Sequence, residues 1–465
     1  MPDADIGVAV VGGGISGLAA AYELHLRGIG HVVLEGGTRF GGVIRTDRVD
    51  GFTIDGGPDA LLAQKPAALD LCRELGLGDR LVPTLPPRTA YVLRAGRLHP
   101  LPQDSVLGIP TRLRPLARTR LLTAAGKARV ALDLLLPGGA SAGRHDESIA
   151  SFFERRFGRE AVDYIAEPLL AGIHAGNVDR LSMQALFPRL VEAERTHGSV
   201  IRALAAGGPG GRTPDGPFRS LPGGVGELTD ALGAALPARV LRTGAGVREL
   251  RGPAPYRLHL AGGASVTARQ VVLAVPARTA AELLRPLDPE LASICGAVPH
   301  TSSATVTLGY PRDAIRHDLR GTGFVVPRVE RGMSVMAGTW VSSKWPDRAP
   351  PGQALLRGFV GGARDAAALD RTDAELIDSV HRDLARLLDI RGRPALARVY
   401  RWPRLNPQYE VGHLERLAAI DARLDRLPGI HLIGAGFRGV GIPDCITRGR
   451  AAGAAASRAV QSAAP

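Results

Sequence analysis

Gly12, Gly14 and Gly17 stand in the spacing G-x-G-x-x-G, and the next apolar run ends on an acid, Glu35. Together these residue types can hold a dinucleotide. The first glycine permits a tight turn, the second lets a pyrophosphate reach the backbone, and the third lets the following helix pack closely on its strand. The carboxylate then accepts hydrogen bonds from ribose hydroxyls. A glycine triplet is a weak signal in a chain with 59 glycines. Its surroundings strengthen it: Ile6 to Val11 reads as a buried parallel strand. Ile15 to about Arg27 reads as a helix whose first amides and positive dipole end face the phosphates. His31 to Leu34 reads as the second strand that delivers Glu35.

A second glycine corner closes the chain. Ile430 to Ile433 reads as a strand, Gly434–Ala435–Gly436 as a sharp turn, and Thr447 to Val460 as an alanine-rich helix. It is an anion-binding corner by the same physics, but no strand and acid follow, so it is no second nucleotide fingerprint. Between the corners, GGTRFGGVIRT (residues 36 to 46) places Phe40 and Gly41–Gly42 against an extended ligand, with Arg39 or Arg45 for its phosphates. No nucleophile is paired with a base and no His/Cys cluster has metal-ligand spacing. No catalytic side chain and no metal are assigned.

The rest must position these corners. At 465 residues, two or three domains are expected. Phe52 to Ala60 reads as a strand and a glycine turn, and Lys65 to Leu77 as a helix opened by Pro66. Tyr91 to Leu101 reads as a hairpin turning at Ala95–Gly96. Thr111 to Leu136 reads as one long helix, basic through Arg112, Arg114, Arg118, Arg120, Lys127 and Arg129. Such a helix either covers a core or lies in a membrane interface. Ser148 to Arg195 is helical, with a glycine-rich bend at Glu167 to Asn177, and residues 206 to 218 form a linker. Leu221 to Leu236 is a glycine turn feeding a helix. Strands at Val240 to Leu250 and Val266 to Ala277 then return the chain to the dinucleotide domain. His300 to Tyr310, Gly323 to Val326, Ser334 to Val341 and Ala354 to Val360 alternate as strands of a second, mostly antiparallel sheet. Thr372 and Glu375 form a capping box for a helix to Leu388.

The net charge is +13, and only three of the 58 basic residues are lysines. Such a balance attracts anions. An aromatic content of 4% with no basic stripe between stacking residues excludes nucleic acid as the expected partner. Three scattered cysteines point to a reducing compartment. The chain enters its first strand at once, leaving no room for a signal peptide, and no apolar run is long enough to span a bilayer. The expected location is the cytoplasm, with a peripheral contact on the inner face of the membrane left open.

VGGGISGLAAAYEL, Glu35 and RFGGVIRT resemble the FAD-binding start of the flavin amine oxidase superfamily. DGGPDALL (Asp55 to Leu62), LAGIHAGNVDRLSMQALFP (Leu170 to Pro188), WPRLNPQYEVGHLERL (Trp402 to Leu417) and GFRGVGIPDCI (Gly436 to Ile446) resemble its protoporphyrinogen and coproporphyrinogen oxidases. The resemblance runs essentially from end to end.

It implies an oxygen-dependent enzyme of haem biosynthesis with non-covalent FAD. Six electrons would leave a porphyrinogen in three two-electron steps, each giving hydrogen peroxide. Protoporphyrinogen IX, yielding protoporphyrin IX, is the expected substrate. Coproporphyrinogen III, with four propionates instead of two and two vinyls, is the close alternative. An amine oxidase or desaturase, or a flavin-free escort protein of the same fold, is more distant. By resemblance, Gly12, Gly13, Gly14, Ile15, Ser16 and Gly17 hold the pyrophosphate and Glu35 the adenosine ribose. Gly42 lies against the cofactor, Gly57, Pro58, Asp59 and Ala60 run by the isoalloxazine, Val247 by the adenine, and Val440, Gly441 and Ile442 by the pyrimidine side. Gly323, Val325 and Phe359 match the substrate pocket. Some members carry an arginine for a propionate where this chain has Gln103, Asp104 and Ser105, leaving Arg97, Arg112 or a contact elsewhere.

The expected fold is α/β: a Rossmann-like FAD-binding domain split over residues 1–88, 218–288 and 402–465. Residues 89–217 would be an inserted helical, membrane-facing domain and 289–401 an α+β substrate domain. The expected partners are the tetrapyrrole and O2, with a homodimer left open.

Overall fold

The computed structural model describes residues 5–102, 105–137, 146–206 and 215–462. The strand Asp5–Val11 (β1) is the centre of the first sheet. It pairs in parallel with His31–Leu34 (β2) on one side and with Ser265–Leu273 on the other. Val8 to Val11 are at most 3% exposed, as a continuous apolar run between two covered faces requires. Leu241–Arg242 extends the sheet beyond β2, while Tyr256–Leu260 and Val247–Arg251 fold back antiparallel on the far side. Ile430–Leu432 pairs in parallel with Ser265–Leu273 at Val271 to Leu273. One sheet is thus assembled from three distant stretches of chain.

The helix Ile15–Leu26 (α1) lies against a longer helix, Ile442–Ser462. Glycine makes this packing close: a Cβ on Gly449 would stand 2.3 Å from the Ser16 carbonyl oxygen, and one on Gly453 would stand 2.6 Å from that of Ala20. The last helix starts five residues before the expected Thr447, with Pro443 in its first turn, where a missing N–H costs nothing. The two glycine corners are therefore clamped side by side by the helices they open.

The second sheet runs Leu396–Pro407, His300–Pro311, Gln353–Gly361, Ala337–Trp340, Gly323–Val325, Ala90–Arg94, Arg97–Pro100. Every pair is antiparallel except Gly323–Val325 with Ala90–Arg94. One face buries Val306, Leu356 and Val360 against Leu376, Val380 and Leu384 of the helix Asp373–Leu388. That helix opens on the expected Thr372–Glu375 capping box. The hairpin turns at Ala95 (φ 49°) and Gly96 (φ 74°), the left-handed pair that matches strand twist.

The single long helix expected over Thr111 to Leu136 is not formed. Leu113–Arg118 and Ala124–Ala131 are separate helices, and Thr119 between them is extended (φ −63°, ψ 143°). Tertiary contacts override the local period. Leu121 and Leu122 turn inward and are buried, and Thr123 caps the second helix while its amide is held by Glu160. The basic residues consequently form no continuous stripe. The helical insert closes on its own cluster, centred on Phe152, Phe153 and Phe157, with Arg156 donating to the buried carboxylate of Asp133 at 2.6 Å. Most of the expected linker at 206 to 218, along with Gln103 and Asp104, lies outside the described residues.

Candidate functional site

The phosphate turn is built before any ligand arrives. Gly12 has φ +103°, and a Cβ on Gly17 would stand 1.9 Å from the Gly12 carbonyl oxygen. The N-cap of α1 is Gly14, which offers no side chain to the first-turn amides, and no acid occupies that turn. Those donors are left for an anion. Glu35 accepts from the Gly13 amide and the Gly37 amide, each at 2.7 Å, so the acid expected at the ribose is tied to the glycine turn. Val247 stands beside it: the Ala245 amide donates to the Glu35 carbonyl, and the Gly36 and Gly246 backbones nearly touch.

Gly42 (φ +59°) faces Gly14 across the turn. Neither arginine expected at the phosphates is free for them. Arg39 donates to the carbonyls of Phe40, Gly42 and Ile44, and Arg45 pairs with Asp47 while lying over the Tyr400 ring. Both brace the loop instead.

Gly57, Pro58, Asp59 and Ala60 leave the sheet Thr46–Val49/Phe52–Asp55 and are held from three sides. The Gly56 carbonyl accepts from Thr305 Oγ1 at 2.7 Å and from Trp402 Nε1 at 3.1 Å. Arg357 donates to the carbonyls of Asp55 and Gly57. Asp59 accepts from Lys344 Nζ at 2.9 and 3.1 Å and from Trp345 Nε1 at 3.2 Å. Burial alone would raise the Asp59 pKa, but Lys344 and Arg357 outweigh it and hold the carboxyl well below the usual range. Asp55 is the reverse case: burial pushes it up in spite of Arg348 at 2.9 Å.

The second corner carries Val440, Gly441 and Ile442 at the start of the last helix. Tyr409 OH donates to the Ala435 carbonyl at 2.7 Å, and His413 Nε2 bonds the Phe437 carbonyl at 2.9 Å. The two rings stack with centroids 3.9 Å apart. Tyr409, His413, Lys344, Arg357 and Thr305 are the positioning residues that reading by motif missed. Only PQY-x-x-GH gave a signal, and it is the stacked pair itself.

Sheet register unites the expected substrate residues. Val325 lies opposite Ala337, Ala337 opposite Phe359, and Phe359 opposite Thr305. Gly323 opens the neighbouring row, opposite Thr339, which faces Arg357. Both rows lie on the face turned away from the Asp373–Leu388 helix, toward the Gly56–Ala60 loop. Val325, Ala337 and Phe359 are only half-buried in mid-sheet, so this face is left partly open. The insert meets this sheet where Ile165 and Leu170 pack with Val92 and Val325. His174 of the insert has a ring edge-on to Phe187 and a pKa lowered to about 4 by desolvation. Arg97 stands exposed on the outermost strand, and Arg112 is exposed ahead of a short helix.

The flavin fits this frame on its donor set: uncapped amides at α1, an acid tethered beside them, and a half-exposed path from Gly42 past Gly57 to Gly441. A family model described as flavin containing amine oxidoreductase matches residues 15–456. The chain is 37% identical to the coproporphyrinogen III oxidase of Bacillus subtilis (strain 168), over 97% of this chain and 98% of that one. It is 31% identical to the chloroplastic protoporphyrinogen oxidase of Nicotiana tabacum, over 96% of this chain and 84% of that one. A crystal structure from Exiguobacterium sp. 255-15, whose name proposes a protoporphyrinogen oxidase, superposes with a TM-score of 0.87. Its identity is 33%, over 97% of this chain and 98% of that one.

Proposed function

The chain belongs to the flavin containing amine oxidoreductases, and from that premise we propose that it oxidises coproporphyrinogen III to coproporphyrin III. It is an FAD-dependent oxidoreductase of the haem-pathway branch of that family. The observation carrying the finer reading is the 37% identity spanning 98% of a bacterial coproporphyrinogen III oxidase. The sequence reading ranked protoporphyrinogen IX first. That reading keeps its support in the plant relative, at 31% identity over 84% of its length.

FAD, when bound, supplies a two-electron acceptor that O2 reoxidises, so a six-electron oxidation takes three O2 and gives three H2O2. The chain's own work is placement. Gly12 to Gly17 would hold the pyrophosphate, Glu35 the adenosine ribose, Val247 the adenine, and Val440 to Ile442 the pyrimidine side. Arg357, Thr305 and Lys344 fix the loop Gly57–Ala60, so the flavin ring meets a rigid edge. Val325, Ala337 and Phe359 offer a macrocycle a flat, water-excluding wall, on which Phe359 lies under the Arg357 guanidinium at 4.6 Å. We assign the sheet domain to substrate, and count the hairpin Ala90–Pro100 with it because it pairs there. Residues 1–88, 218–288 and 402–465 are assigned to FAD, and the rest of 89–217 to closing the cavity.

Oxygen uptake and porphyrin fluorescence with each porphyrinogen test the reading. The expected result is a kcat/KM at least tenfold higher for coproporphyrinogen III. Equal or higher efficiency with protoporphyrinogen IX overturns it.

A cytoplasmic location with peripheral membrane contact is proposed as well. No helix among the described residues is long and apolar enough to cross a bilayer. Leu113, Leu132 and Leu135 nonetheless stand exposed on the basic part of the insert. Co-flotation with anionic liposomes at low salt is expected, and its absence removes the contact.

A further inference from the structure

The pocket strand Gly323–Val325 leads into a turn at whose apex Arg328 meets the insert. The insert approaches through the π-helix Val162–Ala171, in which Glu167 precedes Pro168. Glu167 accepts the Arg328 amide N–H at 2.9 Å, which pins the Arg328 backbone. It leaves the Arg328 guanidinium poorly matched: Nε is 3.9 Å from Glu167 and is buried without a hydrogen-bond partner. The side chain keeps 39% of its surface accessible. Arg364 stands behind it, with Nη1 on the Val326 carbonyl and Nη2 on the Glu330 carbonyl. Glu330 itself is occupied by Tyr164 and the Ala95 amide. Glu167 thus holds the Arg328 backbone, its own pKa raised by burial, while the Arg328 Nε goes without an acceptor. The unmatched Arg328 group lies in the seam between the insert and the sheet that carries Val325. An accessible guanidinium with an orphaned buried donor in a half-desolvated seam suits a carboxylate.

We propose that the Arg328 guanidinium, backed by Arg364, receives a propionate carboxylate of the tetrapyrrole at this seam. The inference rests on the porphyrinogen reading. It makes Arg328 a substrate-positioning and specificity-determining residue: the Glu167 bond to its amide fixes where the carboxylate stands, and hence how the macrocycle lies on Phe359. The fork geometry matters, because an ammonium is a point charge without the guanidinium's planar pair of parallel N–H donors.

The experiment uses the flavin-loaded enzyme with Arg328→Gln and Arg328→Lys. Neither removes the backbone N–H on Glu167, so the turn is retained. Coproporphyrin III, with four carboxylates, and etioporphyrin, with none, are titrated by fluorescence. The expected result for Arg328→Gln is about tenfold weaker coproporphyrin III binding, unchanged etioporphyrin binding, and a raised KM with little change in kcat. Arg328→Lys should recover part of the affinity. Unchanged coproporphyrin III affinity, or an equal loss for etioporphyrin, overturns the proposal. Failure of the underlying reading shows separately, as wild-type enzyme that oxidises no porphyrinogen, and the titration still decides the role of Arg328.

Discussion

Lys344 and Asp59 are 285 residues apart, yet the ammonium reaches both carboxylate oxygens, at 2.9 and 3.1 Å, in a site where neither side chain is more than 14% exposed. The pair fastens the sheet domain to the loop that would edge the flavin. Breaking it should therefore cost both stability and cofactor retention.

Lys344→Met leaves Asp59 with Arg357 at 3.4 Å and Trp345. Losing one partner of a buried ion pair costs on the order of 3 kcal/mol. The denaturant midpoint should fall and FAD should be released at a lower temperature, read from flavin fluorescence. Asp59 has a depressed folded pKa, so its contribution is present above the ordinary carboxylate range and is lost as pH falls below about 4. Wild type should lose this increment on acidification, and Asp59→Asn should already lack it at neutral pH.

Two glycines should respond oppositely to alanine. At Gly17 the added Cβ would stand 1.9 Å from a backbone oxygen, so Gly17→Ala should yield protein without bound flavin, seen as lost absorbance near the flavin bands. At Gly233, in the helix Gly226–Ala234, nothing lies within 4 Å. Gly233→Ala should raise stability by roughly 0.5–1 kcal/mol through helix propensity alone.

Phe359 lies between Thr305 and Ala337 on the sheet face proposed for the substrate. Phe359→Ala should raise KM for the porphyrinogen about tenfold, as an apolar contact face of a flat ligand is lost. The flavin spectrum should not move. A changed kcat at constant KM would show that the ring acts on the chemical step instead.

His174 has a folded pKa of about 4, below its unfolded value of 6.5, because desolvation disfavours the imidazolium. The unfolded chain binds the extra proton, so folding stability drops as pH falls from about 6.5 toward 4. His174→Asn should flatten that slope in urea titrations between pH 7 and 4.5. An unchanged slope would mean that the ring is already protonated in the native state.

Local chemistry wrote the dinucleotide corner in plain sequence. A strand of four fully buried residues, a glycine turn, a helix start and an acid follow one another within one unit, so neighbours in sequence are neighbours in space. The same holds for the Ala95–Gly96 turn and the Thr372–Glu375 box, each settled by the backbone needs of a few adjacent residues.

The broken helix at 111–136 shows where that stops. Its period is helical throughout, but burial of Leu121 and Leu122 and the reach of Glu160 to Thr123 decide its shape. Charge told of anionic partners, glycine spacing told of the dinucleotide corner, and the family resemblance implied a flavin. The order Val325, Ala337, Phe359, Thr305 across one sheet face, the Asp59–Lys344 pair and the unmatched Arg328 are settled only by the tertiary structure. Strand register and long-range charge pairing depend on which distant segments meet, and no spacing along the chain encodes that meeting.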